Sequence, residues 1–247
     1  MGLARARATH HNRIPMNDQA PTPPRSRRLR HKLARTLMFA ILGYLGLSLV
    51  GNAAIWVGVA TGRLLDRDPR ARDPSLPEIK HLRKVDERLW VGAQPGKDHY
   101  RELADAGVRV VIDVRTGSTT DPRPDDPEFL RSLGLEYVWL PVTDGRAPDS
   151  PTVERFVQIV HDADGTVFLH CGGGVGRSTS FTAAYEAAQG ENPSLLEQMA
   201  VGPMSLEQAW FIAAVGKDDP SSQNPVIQGL SRYVVDAPRV LWGKATE

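Results

Sequence analysis

The chain has 247 residues, 41% hydrophobic and 24% charged, which suits one globular domain with an accessory segment and is short for two full domains. Its formal net charge of +1 hides an asymmetry: residues 1–36 carry Arg5, Arg7, Arg13, Arg25, Arg27, Arg28, Arg30, Lys32 and Arg35 against Asp18 alone, so the remainder is net acidic and offers no basic groove for a nucleic acid. The single cysteine excludes an internal disulfide framework and any multi-thiolate metal site, so its role has to be judged from its neighbours.

Residues 1–36 read as a basic N-terminal tail. Residues 37–62, LMFAILGYLGLSLVGNAAIWVGVATG, carry no charge and would make a helix roughly 39 Å long at 1.5 Å per residue, longer than the roughly 30 Å hydrocarbon layer of a bilayer. A single membrane-spanning helix is the expectation. A buried core helix and a cleaved signal peptide are the rival readings, because Asn52-Ala53-Ala54 and Gly58-Val59-Ala60 loosely fit a small-residue cleavage site. Arg25, Arg27, Arg28, Arg30, Lys32 and Arg35 before the span outweigh Arg63, Arg67, Arg70 and Arg72 after it, which places the N-terminus in the cytoplasm and the following domain outside it.

Residues 63–80 mix charges with Pro69, Pro74 and Pro77 and read as a linker. The domain is expected over 81–216. Its predicted elements are a strand at 89–91, a helix at 97–105, a strand at 108–114, a helix near 127–133, a strand at 135–140 and a helix from Pro151 with Ser150 as cap. Val153, Phe156, Val157 and Val160 give that last helix one apolar stripe. A strand at 166–170, a helix beginning near Ser178 and another at 205–214 complete the pattern. Strands alternating with helices predict an α/β fold, a central mostly parallel sheet flanked by helices. Tyr137 and Trp139 read as core. Residues 217–247 form a C-terminal tail whose helix gathers Val226, Ile227, Leu230, Tyr233 and Val234 on one side, to pack on the domain or lie on a membrane.

The chemistry concentrates in TVFLHCGGGVGRSTS, Thr166 to Ser180: an apolar strand, Cys171, a glycine-rich loop, Arg177, and a hydroxyl residue opening a helix. Gly172, Gly173, Gly174, Val175 and Gly176 let successive backbone N–H groups turn inward around a small anion, and the helix N-terminus adds its positive end. Arg177 can close that ring with a two-pronged contact to phosphate oxygens. The same field favours ionisation of a thiol, so Cys171 reads as a nucleophile that attacks phosphorus to give a phosphocysteine, with Ser178 donating to the sulfur as it leaves. A nucleotide-binding P-loop would need glycine at Cys171 and lysine at Arg177. A dinucleotide fingerprint begun at Gly172 would need its third glycine at Arg177.

The segment His170 to Ser178, HCGGGVGRS, resembles the signature loop of protein-tyrosine and dual-specificity phosphatases. More loosely, RLWVGAQP and GVRVVIDVRTG are similar to the first two strands of bacterial and plant dual-specificity-like phosphatases; sulfurtransferases with a related but shorter loop are a remote alternative. The resemblance implies a phosphoric monoester hydrolase that needs no metal and no cofactor. His170 would steady the loop. A general acid is required for the leaving oxygen. The segment PVTDGRAPDS resembles the general-acid loop of dual-specificity phosphatases, which puts Asp144 in that role with Asp149 as runner-up. Asp113 and Arg115 read as a structural polar pair. The partner is a phosphotyrosine-bearing protein, the loop having no lysine for the extra phosphates of an inositol lipid; a lipid phosphate is the second choice, since the helix holds the site near a membrane. A phospho-binding pseudophosphatase is the alternative function.

Overall fold

The computed structural model describes residues 25–65, 67, 76–118, 127–215 and 224–238. Most of the basic tail, most of the expected linker and the polar stretch from Gly216 lie outside the described residues. The chain divides into two units, Met1–Leu42 and Gly43–Glu247. In the first, the described residues open helix α1, Arg25–Leu64, with Leu29, Leu33, Leu37 and Phe39 exposed. Helix α1 is longer than the apolar run alone, because residues 25–36 contain neither glycine nor proline. Its stretch Leu29–Leu64 is long and apolar enough to cross a membrane and lies near the N-terminus, where a signal sequence has the same character.

The second unit is built on a five-stranded sheet in the order β1-β2-β5-β3-β4. The strands are β1 Arg83–Lys84, β2 Leu89–Ala93, β3 Val108–Asp113, β4 Glu136–Trp139 and β5 Thr166–Cys171. Only β1 runs antiparallel to its neighbour, so the sheet is mostly parallel, as expected. Around it stand α2 Lys97–Asp105, α3 Pro127–Ser132, α4 Ser150–Asp162, α5 Gly176–Ala188, α6 Leu195–Val201, α7 Leu206–Val215 and α8 Pro225–Leu230. A π-helical turn, Ser231–Val235, continues from α8.

Central strand β5 is buried on both faces, as its unbroken apolar run requires. Val167 and Leu169 face Phe156 and Val160 of α4 and Phe181 of α5. Phe168 faces the other way, toward Tyr100 and Leu103 of α2 and Leu130 of α3. Helices thus cover both faces, and the carboxyl ends of β2, β3 and β5 meet at one edge, with Ala93 beside Cys171 and Asp113 beside His170.

Four local expectations are corrected. The cap of α4 is Asp149, whose side chain accepts from Thr152 N, and Ser150 is already helical. Helix α5 starts at Gly176, so Arg177 and Ser178 lie in its first turn. Tyr137 is only half buried and Trp139 is exposed. In the last helical segment Ser231 and Val235 turn inward, while Val226 and Tyr233 face solvent.

From Ser48 on, α1 is seated on the rest of its unit. Ser48, Ile55 and Val59 are buried. Asn52 Nδ2 donates to Val235 O at 2.8 Å, and Arg63 Nε donates to Ala200 O at 2.9 Å. Gly62 lies flush on α6, where a Cβ would strike Leu196 O.

Candidate active site

Cys171 ends β5 and is 3% exposed. Its Sγ receives two hydrogen bonds, from Gly174 N at 3.2 Å and from Ser178 Oγ at 3.2 Å. Gly174 has φ +69°, and a Cβ there would run into the backbone of Gly92 and Ala93, so the position requires glycine twice over. A loop whose N–H groups turn inward must turn its carbonyls outward. Those carbonyls are held from outside: Gly172 O accepts from Gln94 N at 3.3 Å, Gly173 O is bonded to His81 Nδ1 at 2.7 Å, and Gly174 O accepts from Arg83 Nη1 at 3.2 Å. His81 is the one described non-glycine residue with positive φ, 58°, and Arg83 is buried with its Nη2 on Thr182 Oγ1 at 3.1 Å. None of these three carries a motif signal in the sequence.

Arg177 is 3% exposed in the first turn of α5. Its Nη1 donates to Val142 O at 3.0 Å, and its Nη2 lies 3.5 Å from Asp144 Oδ1. The structure thus brings Asp144, with its side chain 61% exposed, to the guanidinium of the arginine that follows the loop. Asp149 is committed elsewhere: the hydrogen bond from Thr152 holds its carboxyl below the usual carboxylate range, as suits a helix cap.

Asp113 and Arg115 form the expected buried pair, with Arg115 Nε donating to Asp113 Oδ1 at 3.0 Å and Nη2 to Oδ2 at 3.3 Å. Tyr137 OH donates to Asp113 Oδ2 at 2.9 Å and Trp139 Nε1 to Arg115 O at 2.6 Å, so both rings brace the pair. Arg115 Nη1 donates to Gln94 Oε1 at 2.5 Å, and Gln94 N in turn donates to Gly172 O of the glycine loop.

His170 Nδ1 donates to Cys171 O at 3.3 Å, and Nε2 accepts from Tyr100 OH at 3.4 Å. Burial pushes its pKa from 6.5 down to about 4, partly offset by Asp113, so the ring is neutral at ordinary pH. The unfolded chain takes up a proton below pH 6.5 that folded His170 refuses. Its contribution, roughly 3 kcal/mol, is complete above 6.5 and is lost as pH falls toward 4.

Half-buried Glu186 on α5 has the opposite sign. Burial first, then Glu197 and Glu191, raise its pKa from 4.5 to about 7, so its penalty is full above pH 7 and relieved as pH falls to 4.5. Glu186→Gln is therefore expected to raise the Tm at pH 8 and to steepen the loss of Tm between pH 6.5 and 4.5. Calorimetric scans at several pH values check both, and an unchanged profile would contradict the assignment.

A cysteine at the carboxyl edge of a central parallel strand, a glycine loop and a buried arginine opening the next helix define a domain of the cysteine-loop phosphatase class. The sequence model of the family described as DSP-PTPase phosphatase fused to NAD+ kinase matches residues 76–212, over half of the chain, and the chain belongs to this family. Laforin of Mus musculus is 27% identical over 123 residues, 42% of this chain and 37% of laforin. A beta-lactamase hydrolase-like protein of Xylella fastidiosa is 28% identical over 159 residues, 63% of this chain and 33% of that protein. The chain thus spans only 37% and 33% of the length of these curated relatives. A solved structure from Shewanella putrefaciens CN-32, described as a DUF442 phosphatase, is 25% identical, covers 65% of this chain and 97% of its own, and superposes with a TM-score of 0.48.

Proposed function

We propose that the chain hydrolyses phosphomonoesters through a phosphocysteine. The observation that carries the reading is the pair of donors, Gly174 N and Ser178 Oγ, each 3.2 Å from Cys171 Sγ, with Arg177 in the first turn of α5 and beside Asp144. Cys171 Sγ attacks phosphorus in line, the S–P bond forms and the P–O bond to the leaving group breaks. Arg177 and the inward N–H groups hold the nonbridging oxygens. Asp144 in its acid form gives its proton to the leaving oxygen. In the second step Asp144, now a carboxylate, takes a proton from water as the water attacks phosphorus. The S–P bond then breaks, phosphate departs, and Ser178 Oγ donates a hydrogen bond to the departing sulfur.

The substrate in this reading is a phosphotyrosine-bearing protein, supported by a loop of glycine and valine with no lysine. A lipid phosphate is the second choice. Helix α1 serves as a single-pass anchor with the N-terminus cytoplasmic and the catalytic domain over 81–216; of the expected span over 37–62, the part from Ser48 on is seated on the domain, which leaves the exposed stretch before it to lipid. The test is rapid-quench labelling with a ³²P-aryl phosphate. Wild type is expected to take up as much as about one phosphate per chain and Cys171→Ser none. A protein that binds phosphopeptide yet never takes up label would be a phospho-reader, and the hydrolytic reading would fall.

A further inference from the structure

We infer that Glu207 is the positioning residue of the Asp144 loop, and that the C-terminal segment 231–236, clamped by α1, fixes Glu207 in that task. The inference rests on the reading of Asp144 as general acid.

Asp144 stands at an exposed tip between β4 and α4, and the residues just after it are tied down in turn by the start of α7. Gly145 O accepts from Ser205 Oγ at 2.7 Å. Arg146 O accepts from Gln208 Nε2 at 3.1 Å. Ala147 N donates to Glu207 Oε1 at 3.2 Å, and Arg146 Nη1 lies 3.3 Å from Glu207 Oε2. Glu207 is 3% exposed, and burying a carboxylate is costly unless partners compensate it. Burial raises its pKa, while the Ala147 N–H and Arg146 pull it back. The partners that compensate it are the loop itself.

The same turn of α7 also touches the glycine loop. A Cβ on Gly176 would run into the Gln208 amide, so Gln208 stands between Gly176 and Arg146. One helical turn therefore sets the separation between the proposed acid and the proposed nucleophile. Behind it, Glu207 N donates to Ser231 Oγ at 3.1 Å, Ser231 Oγ donates to Asp236 Oδ2, and Asp236 N returns to Ser231 O at 2.8 Å. The π-helical turn that this closure encloses ends at Val235, whose carbonyl is held by Asn52 and whose side chain fills the notch at Gly51. The contacts run without a break from α1 through residues 231–236 and Glu207 to the Asp144 loop.

General-acid assistance is worth most when the leaving group is a strong base and little when it departs easily. Loss of position at Asp144 therefore slows phenyl phosphate far more than p-nitrophenyl phosphate, whereas a general loss of folding slows both alike. The full-length chain is assayed with both esters as wild type, Glu207→Gln, Glu207→Ala, Asn52→Leu and Asp144→Asn. For phenyl phosphate, kcat/KM is expected to fall about 10-fold in Glu207→Gln and on the order of 100-fold in Glu207→Ala. p-Nitrophenyl phosphate is expected to stay within about threefold, and the affinity for inorganic phosphate to be unchanged. Asn52→Leu gives the same selective loss on a smaller scale.

Equal losses on both esters, or none on either, overturn the proposal; if Glu207→Ala does not fold, Glu207→Gln carries the same criterion. Asp144→Asn separates the two levels. If it discriminates between the esters and the Glu207 variants do not, the positioning role fails and the acid assignment stands. If Asp144→Asn itself does not discriminate, the acid assignment fails and the positioning role falls with it.

Discussion

Cys171→Ser is expected to lower kcat on aryl phosphates by at least about four orders of magnitude, while inorganic phosphate binds within a few-fold of wild type. The substitution changes one atom in a site that is otherwise kept whole. Gly174 N–H and Ser178 O–H, each 3.2 Å from the sulfur, then meet a neutral hydroxyl, and the groups proposed to bind phosphate are untouched. A serine hydroxyl is not ionised near neutrality, and among the described residues the neighbouring base, His170, points to Cys171 O and Tyr100 OH. Initial rates and calorimetric titration of phosphate measure the two quantities separately. A serine variant with a substantial fraction of wild-type turnover would contradict the nucleophile assignment, even if phosphate binding followed expectation.

Arg177→Lys is expected to cost about 10²- to 10³-fold in kcat/KM and at least about tenfold in phosphate affinity. The guanidinium performs three tasks with one plane. It donates to Val142 O at 3.0 Å, stands 3.5 Å from Asp144 Oδ1 and, in the proposed mechanism, binds the phosphate oxygens. An ammonium carries the charge but only one donor centre, so it cannot hold the start of the acid loop and two phosphate oxygens together. Steady-state kinetics and phosphate titration decide the matter. An unchanged phosphate affinity with a lowered Tm would make Arg177 a structural residue.

The glycine loop was legible because its chemistry is contiguous: strand, Cys171, glycines, Arg177 and Ser178 follow one another, and backbone geometry carries them to one point. Helix α4 was legible from its apolar stripe, and β5 from an unbroken apolar run. The scaffold was not. His81, Arg83, Gln94 and Glu207 meet the two loops only after the sheet forms, and as single polar residues they carry no spacing to read.

Some misses had a signal. Helix α6 follows Ser194 with Glu197 three residues on, and Ser194 Oγ accepts from Glu197 N, the usual start of a capped helix. At α4 both Asp149 and Ser150 are good caps, and the acidic one took the position. The C-terminal stripe failed for a different reason. A π-helical turn is wider than an α-turn, so the 3.6-residue period no longer holds past Leu230, and Ser231 and Val235 rotate inward.

The seating of α1 bears on how the chain tolerates processing. Severing it after Ala60 would take away both Ile55, which packs in the cluster that includes Met199, and buried Val59. Each buried aliphatic side chain stabilises by about 1.5–3 kcal/mol, and the vacated furrow would be a sticky apolar surface. A peptidase acting there would also release the grip of Asn52 on residue 235. Solubility of the liberated fragment and integrity of its acid loop would then decline together, from one missing piece.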